Sequence, residues 1–97
     1  MGERRYPVTG EIDLEVAPTL RSDLLEIVNT TNDDLVIDCD GLQFIDSQGI
    51  AAFAYVHRLL EIEGRRLRVV NLAGMPRRAF DLLGLTELLG ITEAEPA

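Results

Sequence analysis

The chain contains no lysine. All nine of its cations are arginines, set against seventeen aspartates and glutamates, and the formal charge is −8 over 97 residues. A Schiff-base nucleophile and a P-loop both need an amine on a flexible stem, so neither is available here. The same absence sets aside a response-regulator receiver, which a short α/β chain with acidic loop residues would otherwise suggest. The acidic balance argues against a nucleic-acid partner, because a phosphate-backbone binder concentrates Lys and Arg on one face. Cys39 is the single cysteine, so no internal disulfide can form. No apolar h-region follows Met1-Gly2-Glu3-Arg4-Arg5, and no apolar run approaches the ~20 residues that span a bilayer. The expectation is a cytoplasmic protein with no signal peptide and no membrane insertion.

What is present is enough for one core, with 46% hydrophobic residues. A single domain over 1–97 is expected, with its core at about 8–91 and a frayed tail at 92–97. Arg4 to Ile12 reads as an edge strand around Tyr6, Val8 and Ile12, since Pro7 deletes one backbone donor. Gly10-Glu11-Ile12-Asp13 then turns the chain. From Ala17 to Val28 the residues Ala17, Leu20, Leu24, Ile27 and Val28 share one helical stripe, and Pro18 suits its first turn. Leu35 to Cys39 is a strand of the kind buried on both faces of a parallel sheet. A second helix runs from about Ser47 to Glu63 and stops at Gly64. Leu67 to Leu72 is the next strand, and Met75-Pro76 opens a third helix that closes near Gly84. Leu85 to Ile91 reads as a short helical turn with a last edge strand. Alternating strands and helices make the fold class α/β, with a small, mostly parallel sheet, mixed at its edge, and helices packed on it.

Ser47 begins the second helix directly after a strand-like stretch. Ser at that position is either an N-cap, accepting a hydrogen bond from a first-turn N–H, or an exposed hydroxyl at an electropositive helix end that tolerates added negative charge. Asp46 beside it either stabilises that helix end or contacts a partner. Asp13 is either a turn residue or part of a site, because parallel topology brings it to the same sheet edge as Ser47. On the second helix Ile50, Ala51, Phe53, Ala54, Val56 and Leu60 are more than one narrow stripe needs, so either apolar surface beside Ser47 is exposed or the helix is covered on two sides. Asp38-Cys39-Asp40-Gly41 lacks the later ligands of a calcium loop, and Cys39 and His57 have no partner for a zinc or nucleophile arrangement. Arg65, Arg66 and Arg68 read as a solvated strand entry, with a docking patch as the alternative. No base, nucleophile and oxyanion donor converge, so no catalytic residue, metal or cofactor is expected.

Taken together, Gly10-Glu11-Ile12-Asp13, Asp34-Leu35-Val36-Ile37-Asp38, Phe44-Ile45-Asp46-Ser47-Gln48-Gly49-Ile50, and Arg78-Ala79-Phe80 with Gly84-Leu85 resemble the STAS domain of bacterial anti-sigma factor antagonists. The resemblance implies the STAS fold and a partner switch. An unphosphorylated antagonist binds an anti-sigma factor with serine kinase activity, and phosphorylation, undone by a separate serine phosphatase, reverses the binding. Carried onto this chain, the acceptor is Ser47, and the partner-binding surface is Asp13, Asp46, Ser47, Gln48, Gly49 and Ile50. Relatives often have a second Ser or Thr where Gln48 stands, which bears on partner choice. The short stretch before Gly10 suggests a poorly protected sheet edge through which a homodimer could form. An accessory subunit of a lipid-transport ABC system and a ligand-binding STAS module that is never phosphorylated are the alternatives.

Overall fold

A computed structural model describes residues 2–89 and 91. Three strands and three helices alternate along the chain: β1 (Glu3–Ile12), α1 (Ala17–Thr30), β2 (Asp34–Ile45), α2 (Ser47–Ile62), β3 (Leu67–Val70) and α3 (Gly74–Leu82). The sheet has the order β1-β2-β3, and both pairings are parallel. Ile91 adds one isolated parallel bridge to Val69. No antiparallel pair occurs among the described residues, so the mixed edge expected from the sequence has no counterpart there. The tail at 92–97 lies outside the described residues.

All three helices sit on one face of the sheet. Alternation along β2 turns Leu35, Ile37 and Cys39 toward a cluster that also holds Leu20 and Leu24 of α1, Phe53, Val56 and Leu60 of α2, and Phe80 of α3. The rings of Phe53 and Phe80 lie 5.6 Å apart and tilted, which joins α2 to α3 over the sheet. The start of β2 is buried on both faces, as the sequence reading expected, although among the described residues the helices lie on one face only. Val36 and Val70 are buried on the other face. Their neighbours in register are charged: Arg5 pairs with Asp38 at 3.0 Å, and Arg68 approaches Glu3 at 3.7 Å. Arg5 and Arg68 lie on either side of Val36 in register, and both side chains remain close to half-exposed.

β2 does not stop at Cys39, as the sequence reading had it, but continues through Asp40-Gly41-Leu42-Gln43-Phe44 to Ile45. β1 ends at Ile12 as expected, but the turn read at Gly10-Glu11-Ile12-Asp13 begins only at Asp13. The last residues of the two strands pair with each other through register shifts between Pro7 and Thr9 and between Gly10 and Glu11. Gly10 sits at φ +73°, open to glycine at no steric cost, which is how a bulge absorbs an extra residue. β1 is an edge strand, as Pro7 suggested, and these irregularities interrupt its pairing with β2.

Candidate functional site

Parallel pairing of β1 with β2 ends in the register Ile12↔Ile45. The next residues along the two strands, Asp13 and Asp46, therefore leave the sheet side by side at its C-terminal edge. The Asp46 N–H donates to the Ile12 carbonyl at 3.0 Å, which locks the two exits together. Asp13 then folds the chain into α1. Its carboxylate Oδ1 accepts from the N–H groups of Glu15 (3.0 Å) and Val16 (3.1 Å), and its carbonyl accepts from Ala17 at 2.8 Å. Asp13 is therefore a turn residue, and it is exposed at the sheet edge that carries Ser47.

At α2 the structure decides between the two readings of Ser47. The N-cap is Asp46, not Ser47. Asp46 is the last extended residue (φ −98°, ψ −176°), and its Oδ1 accepts from Gln48 N–H at 2.9 Å and Gly49 N–H at 3.1 Å. The donors left over at the helix start are thus satisfied by a carboxylate, which the helix dipole also favours. Ser47 is the first helical residue. Its side chain is exposed, and its hydroxyl makes no hydrogen bond to any described residue. A serine that has been relieved of capping can change its chemistry without unpairing the helix.

The following residues hold this end of α2 down. A Cβ on Gly49 would meet Ile45 Cγ1 at 2.6 Å and Ile12 Cγ2 at 2.8 Å, so only glycine lets the helix start so close above both strand ends. Ile50 is 6% exposed and belongs to the core. Of the six residues named from the sequence, Asp13, Ser47 and Gln48 are exposed and Asp46 is half-buried, while Gly49 and Ile50 are buried behind them. The crowding of apolar residues on α2 resolves mainly as cover from two sides, since the helix packs on the sheet and along α1, while Ala51 stays exposed near Ser47.

The STAS domain family model matches residues 4–96, almost the whole of what is described. The chain belongs to the STAS domain family. The anti-sigma-B factor antagonist of Bacillus subtilis is 31% identical over 85 residues, covering 88% of this chain and 77% of that protein. The fold matches the unphosphorylated form of the anti-sigma factor antagonist SpoIIAA with a TM-score of 0.83, at 21% identity and covering 97% of this chain and 81% of that one. It also matches a sulfate transporter family protein from Wolinella succinogenes with a TM-score of 0.76, at 22% identity over 93% of this chain and 73% of that one. The curated likeness supports an anti-sigma factor antagonist role for this STAS domain. The structural likenesses establish its fold.

Three features of this STAS domain were not legible in the sequence. Arg65 is not a solvated strand-entry residue, because its side chain is only 7% exposed and works as a clamp. Its guanidinium donates to the carbonyls of Val28 (3.0 Å) and Asp33 (2.8 and 3.0 Å) and to Glu63 Oε1 (2.7 Å), so it closes the C-terminal end of α1 onto the start of β2. Arg21 lies over the ring of Tyr55, 4.2 Å from its centroid, and so links α1 to α2 one turn further from the strand ends. Between the first turns of those helices, beside Gln48, lies a groove of about 180 Å3. Cys39 behaves as the sequence suggested: burial, with Asp38 next to it, pushes its thiol up to about 12, far from any thiolate reactivity. Among the described residues no three His, Cys, Asp or Glu side chains gather where they could hold a metal ion, and no helix is long and apolar enough to cross a membrane.

Proposed function

We propose that this STAS domain is a cytoplasmic anti-sigma factor antagonist operated by phosphorylation of Ser47. The unphosphorylated surface of Asp13, Asp46, Ser47 and Gln48 binds an anti-sigma factor that is also an ATP-dependent serine kinase. The kinase moves the γ-phosphoryl group of ATP to Ser47 Oγ, the hydroxyl proton passes to a base on the kinase, and ADP leaves. A serine phosphatase restores the hydroxyl by hydrolysis. The observation that carries this reading is that Asp46 takes the cap of α2 and leaves Ser47 exposed, with no hydrogen bond to any described residue.

A phosphoserine adds about −1.5 to −2 charges at pH 7. In the free domain the positive end of α2 favours that charge by roughly 0.3–1 kcal/mol, and repulsion from the neighbouring carboxylates offsets a similar amount. Against a partner surface the same group loses water without gaining a counter-charge, which costs several kcal/mol. A loss of about 3 kcal/mol is a hundredfold in affinity. The free fold is therefore left nearly as it was while the complex is lost.

The test is titration calorimetry of wild type and Ser47→Asp against the ADP-loaded anti-sigma kinase of the same genome, with peptide mass spectrometry after incubation with ATP. Phosphate on Ser47 and none on Ser22, which is held within α1, is the expected pattern. Unweakened binding by Ser47→Asp, or transfer that persists in Ser47→Ala, would sink the switch. Capture of an ABC-transporter ATPase in place of the kinase would favour the accessory-subunit alternative.

A further inference from the structure

Beside Ser47 the first turns of α1 and α2 do not close on each other. The groove between them is walled by Leu14, Ala17 and Pro18 on one side and by Gln48 and Ala51 on the other. Its volume of about 180 Å3 is below the range in which small-molecule and cofactor sites bury their ligands. It is the size of hole that takes one side chain of a partner protein. Leu14, at its mouth, is 66% exposed, a large apolar side chain with no cover among the described residues.

The charge around this groove is unlike that of the rest of the molecule. The chain carries seventeen carboxylates and nine arginines, yet none of the groove's lining residues is acidic and one, Arg21, is a cation. Arg21 forms no ion pair with a described carboxylate. Its guanidinium rests on the exposed face of Tyr55, and its donors remain available from solvent. A planar fork held on an aromatic ring above an apolar hole is pre-organised for a bidentate carboxylate.

We infer that this α1–α2 groove is a second docking point for the anti-sigma factor, receiving an apolar side chain of the partner while Arg21 binds an aspartate or glutamate next to it. This rests on the antagonist reading above and deepens it. Ser47 with its flanking carboxylates makes the contact that phosphorylation breaks, and the groove supplies affinity and partner choice through a positive charge set among negative ones. Charge complementarity selects the occupant, since a basic or purely apolar segment would leave Arg21 without a counter-charge on burial.

The experiment is calorimetric titration of the ADP-loaded anti-sigma kinase of the same genome with four forms of the domain. Arg21→Glu reverses the charge. Ala51→Leu fills the hole from an exposed helical position with a residue of similar helix propensity. Arg66→Glu makes the same change in net charge at the opposite end of the sheet, where β3 begins. Arg21→Glu and Ala51→Leu are each expected to weaken binding by about tenfold or more, as loss of an interface anchor does, and Arg66→Glu by less than about threefold. The Arg21 effect should shrink in 0.5 M salt and that of Ala51→Leu should not. Melting curves check that each variant is folded, and Arg21→Lys should recover part of the loss if Arg21→Glu melts early. Wild-type binding with equal affinities for both groove variants overturns the groove. Absence of wild-type binding overturns the antagonist reading, and the groove assignment with it.

Discussion

Replacing Asp46 and Ser47 separately by alanine distinguishes a cap from a switch. Both residues stand at the start of α2, and a composition-based reading would give the capping role to serine as readily as to aspartate. In the structure only Asp46 Oδ1 reaches the helix donors, Gln48 N–H at 2.9 Å and Gly49 N–H at 3.1 Å. Loss of an N-cap costs about 0.5–2 kcal/mol. Asp46 is half-buried and serves two donors, so we place Asp46→Ala at about 1.5 kcal/mol, in the upper part of that range. At roughly 4–8 °C per kcal/mol for a domain of this size, the melting temperature should fall by about 6–12 °C. Ser47→Ala removes an exposed hydroxyl with no described hydrogen bond, and its effect should stay within about 0.5 kcal/mol, or roughly 2–4 °C. Thermal melts followed by circular dichroism at neutral pH measure both. A fall for Ser47→Ala equal to that for Asp46→Ala would refute the assignment, because Ser47 would then be a cap whose modification unravels α2.

Gly49→Ala should destabilise by about 1–3 kcal/mol through overpacking, because the new methyl meets buried Ile45 and Ile12 side chains at 2.6 and 2.8 Å; chemical denaturation measures it, and a neutral result would mean that α2 can lift off the strand ends freely. Arg65→Ala should cost about 2–4 kcal/mol, since it strands the Val28 and Asp33 carbonyls at the closed end of α1, and the same denaturation series should show it as one of the more damaging arginine changes. Asp38 is held below the usual carboxylate range, first by the hydrogen bond from Asn71; burial, the next largest effect, opposes this, and the Asp40 N–H and Arg5 reinforce it. A depressed folded-state value contributes stability that is full above the unfolded value of about 4 and is lost as pH falls below it. Acid titration of stability should therefore be shallower below pH about 4 in Asp38→Asn than in wild type, and identical slopes would remove Asp38 from the account.

Much of this protein could be read along the chain because it depends on near neighbours. The stripe Ala17, Leu20, Leu24, Ile27 and Val28 makes α1 amphipathic whatever it packs against; four of the five are buried, and Ile27 is half-buried against the same core. Gly64 at φ +74° and Gly84 at φ +70° end their helices where the sequence placed the stops, since the left-handed conformation is a property of the residue itself. Leu35 to Cys39 is apolar and β-branched enough to be a strand in most settings. The motif around Asp46 and Ser47 likewise marked the strand-to-helix exit, because that exit is local.

What the sequence could not settle was decided by residues distant in the chain. Asp40 to Phe44 contains a glycine and two polar residues and reads as loop, and it is strand only because β1 runs beside it through two register shifts. The choice of Asp46 over Ser47 as cap follows from where that pairing ends. Ile12 holds the Asp46 N–H, so residue 46 stays extended and residue 47 is already helical. Arg65 looked like one of three exposed arginines until the α1 end and the start of β2 supplied the carbonyls that bury it. The groove beside Ser47 belongs to neither helix alone. Periodicity reports which residues of a helix face inward, but the space left between two helices, and the single cation that lines it, are set by how α1 and α2 dock on the sheet.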